Sequence, residues 1–98
     1  MKPHFFHEGA EADLADALAY YGAESPALAG RFYNEIQNLL HEVCKAPECF
    51  RVVADPVRRH FGATFPYALL YVDRNDHVLV LAVAHFKRRP GYWRERLG

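Results

Sequence analysis

The sequence predicts one α+β domain, in which an N-terminal strand and a helical hairpin pack on a small antiparallel β-sheet. Two observations indicate this class. Apolar residues recur at helical spacing as far as residue 44, and after residue 50 they form short runs rich in β-branched and aromatic side chains. Helices early in the chain and antiparallel strands late are typical of α+β domains. With 98 residues, of which 51% are hydrophobic, the chain has room for a single core and one domain, residues 1–98.

The first two elements are a short strand and an amphipathic helix. Residues 2–6 are predicted as a strand, because Pro3 is tolerated where a strand starts. Residues 8–21 are strong helix formers, and their apolar members follow one another at spacings of four, three and four. Gly22 lies where glycine commonly ends a helix, so the first helix is predicted to stop before it.

A second helix follows after a tight connection. Ser25 is a favoured N-cap residue, and Pro26 is a favoured first residue of a helix. The apolar stripe then keeps helical period to Cys44, and Pro47 prevents much continuation. The two helices are therefore predicted to form a hairpin whose apolar stripes need a sheet to cover.

The second half of the chain predicts strands. Residues 51–53 and 57–61 are short β-like runs, and residues 67–72 are rich in aromatic and aliphatic side chains. Residues 73–76 contain the Asn and Asp of a turn, and residues 77–84 return as an apolar strand. The last two runs therefore predict a β-hairpin.

Charge is balanced over the whole chain but not along it. The protein carries 12 Lys+Arg and 12 Asp+Glu. Residues 1–50 hold three cations against eight anions, a net of −5, and residues 51–98 hold nine cations against four anions, a net of +5. The balance excludes a uniformly basic nucleic-acid binder. We expect the acidic charges on the helices and one positive face on the sheet and the C-terminal tail.

The composition indicates a cytoplasmic protein. Cys44 and Cys49 are too few for a disulfide scaffold, and the N-terminus lacks the apolar segment of a signal peptide. No apolar run approaches the roughly 20 residues that span a bilayer, so no membrane partner is predicted. Neither the cysteines nor the histidines have paired zinc-ligand spacing, and no dinucleotide or phosphate-loop motif is present. We therefore predict no metal and no cofactor.

The residues best suited to chemistry are cationic or aromatic, and all lie in the basic half. They are Arg58, Arg59, His60, His85, Arg88, Arg89, Tyr92 and Trp93. Arginine presents a fork of donors to phosphate, histidine titrates near neutrality, and an aromatic ring can stack on a base. This set permits cleavage of RNA through its own 2′-hydroxyl, which needs a proton acceptor, a proton donor and cations facing the developing charge.

Each of these residues also has a structural interpretation. Arg58 and Arg59 fit the solvent side of a basic strand, and register alone decides which of them faces outward. His85 fits a hydrogen-bonded residue at a strand end, and Tyr92 with Trp93 fits a tail anchored on the core. The sequence leaves both interpretations open.

The order of several short motifs resembles the RelE/ParE toxin superfamily, and most closely the ParE-like branch of plasmid stabilisation proteins. The similarity covers nearly the whole chain and implies the order β-α-α-β-β-β. The motifs are Tyr20-Tyr21, Leu28-Ala29 with Arg31-Phe32 and Glu35-Ile36, Val57-Arg58-Arg59, Phe65-Pro66-Tyr67, and Leu81 to His85 followed by Arg88, Arg89, Pro90 and Tyr92-Trp93.

The resemblance implies the toxin of a type II toxin–antitoxin pair, held inactive by a cognate antitoxin whose C-terminal segment wraps around it. RelE-like members cut mRNA in the ribosomal A site, whereas ParE-like members poison DNA gyrase and need no nuclease centre. Carried over by position, the nuclease residues would be His85, Arg58, Arg59, Arg89 and Tyr92. Residues that bind the antitoxin or the target would be Arg58, Arg59, Arg88, Arg89, Tyr92 and Trp93.

Lysine usage favours the ParE-like branch. The chain has only Lys2, Lys45 and Lys87, and it lacks the lysine-rich central strand of the RelE pattern. Three hypotheses follow: a gyrase inhibitor that acts by binding, a ribosome-dependent endoribonuclease, and an inactive or orphan toxin that serves only as an antitoxin-binding module. In each case we expect a toxin–antitoxin hetero-oligomer, in which the antitoxin segment over the basic sheet is acidic and orders as it binds.

Overall fold

The computed structural model describes residues 1–98, the whole chain. It contains two α-helices and five β-strands, with 3-10 turns at Pro47–Cys49 and Arg94–Leu97. In chain order the elements are β1 (His4–Phe6), α1 (Glu8–Glu24), α2 (Pro26–Lys45), β2 (Arg51–Ala54), β3 (Val57–Phe61), β4 (Tyr67–Asp73) and β5 (Val78–His85). No helix is both long enough and apolar enough to cross a membrane.

The helical hairpin is confirmed, and its corner lies at Ser25. The Ser25 hydroxyl accepts from the Leu28 N–H at 3.0 Å, and Pro26 is the first residue of α2, as predicted. The predicted end of α1 at Gly22 is wrong. The helix continues to Glu24, and the Ser25 N–H still bonds to the carbonyl oxygen of Tyr21. The extended backbone of Ser25 then ends α1, and the same residue caps α2.

The predicted sheet beside the hairpin is confirmed, but it is mixed rather than wholly antiparallel. The strand order is β1-β5-β4-β3-β2, and only β1 pairs in parallel, with β5. The helical hairpin carries the chain from β1 across the sheet to β2 at the opposite edge, and short turns then impose antiparallel pairing from β2 to β5, which returns beside β1. Four strands follow the helices, one more than the order implied by the resemblance.

Both faces of the central strands are covered. The helices cover one face with a core that includes Phe32, Ile36 and Tyr71. A second, smaller core lies on the opposite face, where Trp93 of the tail is 7% exposed against residues of β3, β4 and β5. Because β4 is buried on both faces, it reads in the sequence as a continuous apolar run.

A β-bulge interrupts the pairing of β4 with β5. Leu70 pairs with Ala82 and Tyr71 pairs with Val80, so Leu81 is the extra residue. Leu81 and Ala82 therefore both face the second core, although they are neighbours in a strand. The bulge lies just beyond Val80, where β1 stops pairing with β5.

Candidate functional site

A groove of about 390 Å³ lies on the sheet face opposite the helices. Its floor consists of small or aliphatic residues of β4 and β5, and the tail forms one wall. The lining residues are Val53, Arg59, Phe61, Ala68, Leu70, Ala84, His85, Phe86, Arg88, Arg89, Pro90, Gly91, Tyr92, Trp93 and Arg94. The groove therefore brings together six of the eight residues that the sequence singled out.

The groove is strongly cationic. Four arginines and one histidine line it, and no carboxylate does. Arg59, Arg89 and Arg94 have no carboxylate partner anywhere in the protein. Arg88 has a distant one, with 3.9 Å between its Nη1 and Asp13 Oδ1. Such guanidinium groups are suited to binding an anion.

Strand alternation separates Arg58 from Arg59. Arg58 points to the helix side, where its Nη1 donates to the carbonyl oxygens of Phe50 at 2.7 Å and Glu48 at 3.2 Å. Arg59 points into the groove, and its Cζ lies 4.4 Å from the centre of the Phe61 ring. Arg58 thus fastens the segment before β2, and Arg59 remains available to a ligand.

The two candidate histidines occupy different places. His85 ends β5 at the rim of the groove, and its Nδ1 accepts from the Lys87 N–H at 3.0 Å, which leaves the proton of the neutral ring on Nε2. His60 lies away from the groove. Its Nε2 is 2.7 Å from Glu42 Oε1, and its ring stacks on Phe50 at 3.9 Å between centroids.

Tyr92 is tied to a buried carboxylate of α1. Its hydroxyl donates to Asp13 Oδ2 at 2.8 Å. Burial raises the pKa of the Tyr92 phenol, and the hydrogen bond to Asp13 raises it further. A phenol that is held neutral and already donates its proton is poorly placed to act as a general base.

Asp13 also holds Arg96, and the sequence interpretation singled out neither residue. Arg96 Nη1 donates to Asp13 Oδ2 at 2.7 Å and Nη2 donates to Oδ1 at 3.2 Å, so the pair is bidentate. The same carboxylate accepts from the Val83 N–H at 3.1 Å. The available signal was position, since Asp13 lies three residues after Ala10 and four before Ala17, both of them buried.

Trp93 forms the base of the tail wall. It is almost fully buried in the second core, and the Arg94 guanidinium lies 5.1 Å from its ring centre. Gly91 makes the turn that precedes it, with a φ of +76° that an L side chain rarely adopts. The tail therefore carries its arginines on a fixed support.

Two exposed phenylalanines complete the groove. Phe61 is 49% exposed and Phe86 is 56% exposed, and their rings meet edge to face with 5.6 Å between centroids. The sequence interpretation did not single them out as site residues. Phe61 lies two residues after Arg59 in β3, which places both on one face, and that spacing was the available signal.

The arrangement is better suited to binding than to acid–base chemistry. Of the nuclease residues carried over by position, Arg58 donates hydrogen bonds to backbone carbonyl oxygens, and Tyr92 donates one to Asp13. His85, Arg59 and Arg89 remain at the groove. The titratable ring that contacts His85 is Tyr67, 5.0 Å away between centroids, and burial raises the pKa of its phenol. An anionic segment could be held there by arginine forks over an apolar floor.

Comparison with known proteins agrees with this architecture. The family model described as "ParE toxin of type II toxin-antitoxin system, parDE" matches residues 5–90. The chain belongs to this ParE toxin family. It is thus a ParE-type toxin of a type II toxin–antitoxin system, as the order of the sequence motifs indicated.

Individual relatives of this ParE-family toxin support the assignment. Toxin ParE2 of Mycobacterium tuberculosis, from the strains CDC 1551 / Oshkosh and H37Rv, is 28% identical over 85 residues, which are 86% of this chain and 81% of the relative. A chain of the chromosomal ParDE TA system from P. aeruginosa has the same fold, with a TM-score of 0.76 and 16% identity. That match covers 87% of this toxin and 96% of the other chain.

Proposed function

We propose that this ParE-family toxin inhibits DNA gyrase by binding it, and that a cognate antitoxin neutralises the toxin by laying an acidic C-terminal segment along the groove. Both interactions take place in the cytoplasm. The gyrase target is what resemblance to the ParE-like branch implies. The observation that carries the proposal is the set of three groove arginines, Arg59, Arg89 and Arg94, that have no carboxylate partner.

Charge supports an acidic partner at this site. Much of the acidic half of the chain lies on α1, where Glu8, Glu11, Asp16 and Glu24 are exposed on the helix layer. The internal carboxylate nearest the groove, Asp13, is occupied by Arg96 and Tyr92. Groove cations without internal partners favour an anionic ligand and speed its association.

Contact roles differ among the predicted binding residues. We assign direct contact to Arg59, Arg88 and Arg89, whose guanidinium groups line the groove. Tyr92 and Trp93 act by holding the tail wall in place, since one is bonded to Asp13 and the other is buried. Arg58 acts by fastening β3 to the segment before β2.

The geometry supports the gyrase inhibitor better than the ribosome-dependent nuclease. A nuclease at this site needs a proton acceptor and a donor on either side of a phosphate, and the lining residues include one histidine, His85, and no carboxylate. His85 Nδ1 already accepts from the Lys87 N–H. A binding inhibitor needs only a surface that fits its target, and the cationic groove is the surface that we propose for it.

A gyrase assay with and without the antitoxin tests the proposal. The purified toxin should block supercoiling and raise the amount of cleaved DNA, and added antitoxin should reverse both effects. Arg89→Glu in the groove should weaken antitoxin binding, whereas Arg31→Glu on the exposed face of α2 is the matched control and should not.

Three outcomes would contradict the proposal. If excess toxin leaves gyrase activity unchanged, gyrase is not the target. New 5′ ends in mRNA after induction, abolished by His85→Ala, would instead support the nuclease. Normal growth on expression without the antitoxin would favour the inactive toxin.

A further inference from the structure

An acidic antitoxin segment accounts for the groove's arginines but not for its exposed aromatic rings. Phe61 and Phe86 expose about half of their surface, and neither belongs to either core. They flank a floor that contains Ala68 and Ala84, and Arg59 lies over one of them. Cations that alternate with exposed rings form the type of surface on which nucleic-acid strands bind, since phosphates pair with arginines and bases stack on the rings.

We propose that the groove binds a single-stranded segment of DNA, with phosphates on Arg59, Arg89 and Arg94 and a base stacked on Phe86. The inference rests on the proposed function, because an inhibitor bound to a gyrase that is cutting DNA would lie close to DNA strands. The toxin would then contact protein and DNA together, and the antitoxin's acidic segment would compete with the DNA for the same arginines.

The exposed rings favour a single strand over a duplex. In a duplex the faces of the bases are covered by their neighbours, so a half-exposed phenylalanine can stack only on a base that has left the stack. The cations are also grouped around one groove. A duplex backbone would be served equally well by arginines spread over a flat surface.

The free polar side chains of the groove, the arginines and His85, are hydrogen-bond donors. The arginines are assigned to phosphates, which DNA and RNA share, and no free side-chain acceptor is present for the proton of a 2′-hydroxyl. The lining contains no carboxylate, amide or aliphatic hydroxyl, and the one phenol, Tyr92, donates to Asp13. In isolation an RNA strand should therefore bind no more tightly than a DNA strand, and the choice of DNA follows from the target.

Fluorescence anisotropy on the purified toxin tests this inference directly. The probe is a labelled oligo(dT) of about 12 nucleotides, a length within the range of single-strand sites on small domains. The comparison ligands are a duplex of equal length and an oligo(rU). With three phosphate contacts, log Kobs should fall against log salt with a slope of about −2, and the duplex should bind more weakly.

Matched variants locate the contacts. Phe86→Ala should weaken oligo(dT) binding about 5- to 150-fold through lost stacking, while Tyr33→Ala, at an exposed ring on α2, should have no effect. Arg89→Ala should reduce the salt slope by about 0.7, while Arg31→Ala should leave it unchanged. Phe86 is exposed and Arg89 lies in the tail turn, so far-UV circular dichroism should confirm intact folding of both variants.

Failure of this inference is separable from failure of the proposed function. Absent binding, equal binding of duplex and single strand, or equal loss in the α2 controls would overturn it. RNA bound more than about tenfold tighter than DNA would overturn it as well and would point to the ribosome. If the toxin blocks gyrase but does not bind oligo(dT), the inference fails and the proposed function holds. If the toxin binds oligo(dT) but does not inhibit gyrase, gyrase is not its target and the proposed function fails.

Discussion

Replacing Asp13 with alanine should destabilise the fold more than any substitution of an exposed carboxylate. Asp13 is 8% exposed, and its two oxygens accept from Tyr92, Arg96 and the Val83 N–H. The substitution leaves the Arg96 guanidinium without its charge partner while its side chain is 16% exposed. Asp13 joins α1 to β5 and to the tail. Without its carboxylate, Arg96 keeps one hydrogen-bond acceptor, the Leu81 carbonyl oxygen at 3.0 Å, which carries no charge.

The expected cost is about 3–5 kcal/mol, the usual result of removing one member of a buried ion pair. The higher helix propensity of alanine offsets at most about 0.7 kcal/mol of this cost. A small domain has a total stability of about 5–15 kcal/mol, so the variant should lose about a fifth of it or more. Asp13→Asn keeps an acceptor oxygen and should cost less.

Urea unfolding followed by circular dichroism and by the fluorescence of Trp93 measures the effect, since Trp93 is the single tryptophan. Asp16→Ala is the matched control, because Asp16 lies one turn further along α1, is exposed and has no ion-pair partner. That control should stay within about 0.5 kcal/mol of the wild type. Equal midpoints for the Asp13 and Asp16 variants would refute the reasoning.

Three further substitutions test other contacts. Burial raises the pKa of Tyr71 to about 12, so the folded protein keeps a proton that the unfolded chain releases near pH 10. The free energy of unfolding should therefore fall as pH rises from about 10 to 12. Tyr71→Phe should lessen the fall in urea midpoints between about pH 8 and pH 11. Gly91→Ala should cost about 1–2 kcal/mol in thermal unfolding because of the positive φ, and an unchanged Tm would argue against strain. Glu35→Ala should lower the free energy of unfolding by about 1–3 kcal/mol in thermal unfolding, because the two carboxylate oxygens of Glu35 accept from the N–H groups of Thr64 and Phe65. Glu35→Gln keeps one of these acceptors and should recover part of the loss.

Local periodicity predicted most of the fold, because it reports on near neighbours in the chain. The hairpin corner at Ser25 and Pro26 and the strands of the second half are local features of this kind. The parallel pairing of β1 with β5 is not local. His4 and Val78 are far apart in the chain, and no pattern within either strand records the partner or its direction.

The candidate site was predictable in composition but not in geometry. The sequence indicated a basic, aromatic surface that includes Arg59 and Arg89, and the groove contains both. It could not separate Arg58 from Arg59, because a shift of one residue in register exchanges the faces. Nor could it pair Asp13 with Arg96, since 83 residues separate them and a carboxylate among alanines reads locally as part of a solvated helix.

The bulge at Leu81 decides which side chains of β5 line the groove. Beyond the bulge, Ala84 belongs to the open face with Ala68, while Val83 and His85 turn toward the helix side. If β5 kept Leu81 but alternated regularly through this residue and Ala82, every later residue would change faces, which would bring Val83 into the groove and carry Ala84 under the helices. The bulge instead keeps Ala84 opposite Ala68, so the floor between the arginines is made of small side chains and stays open to a ligand.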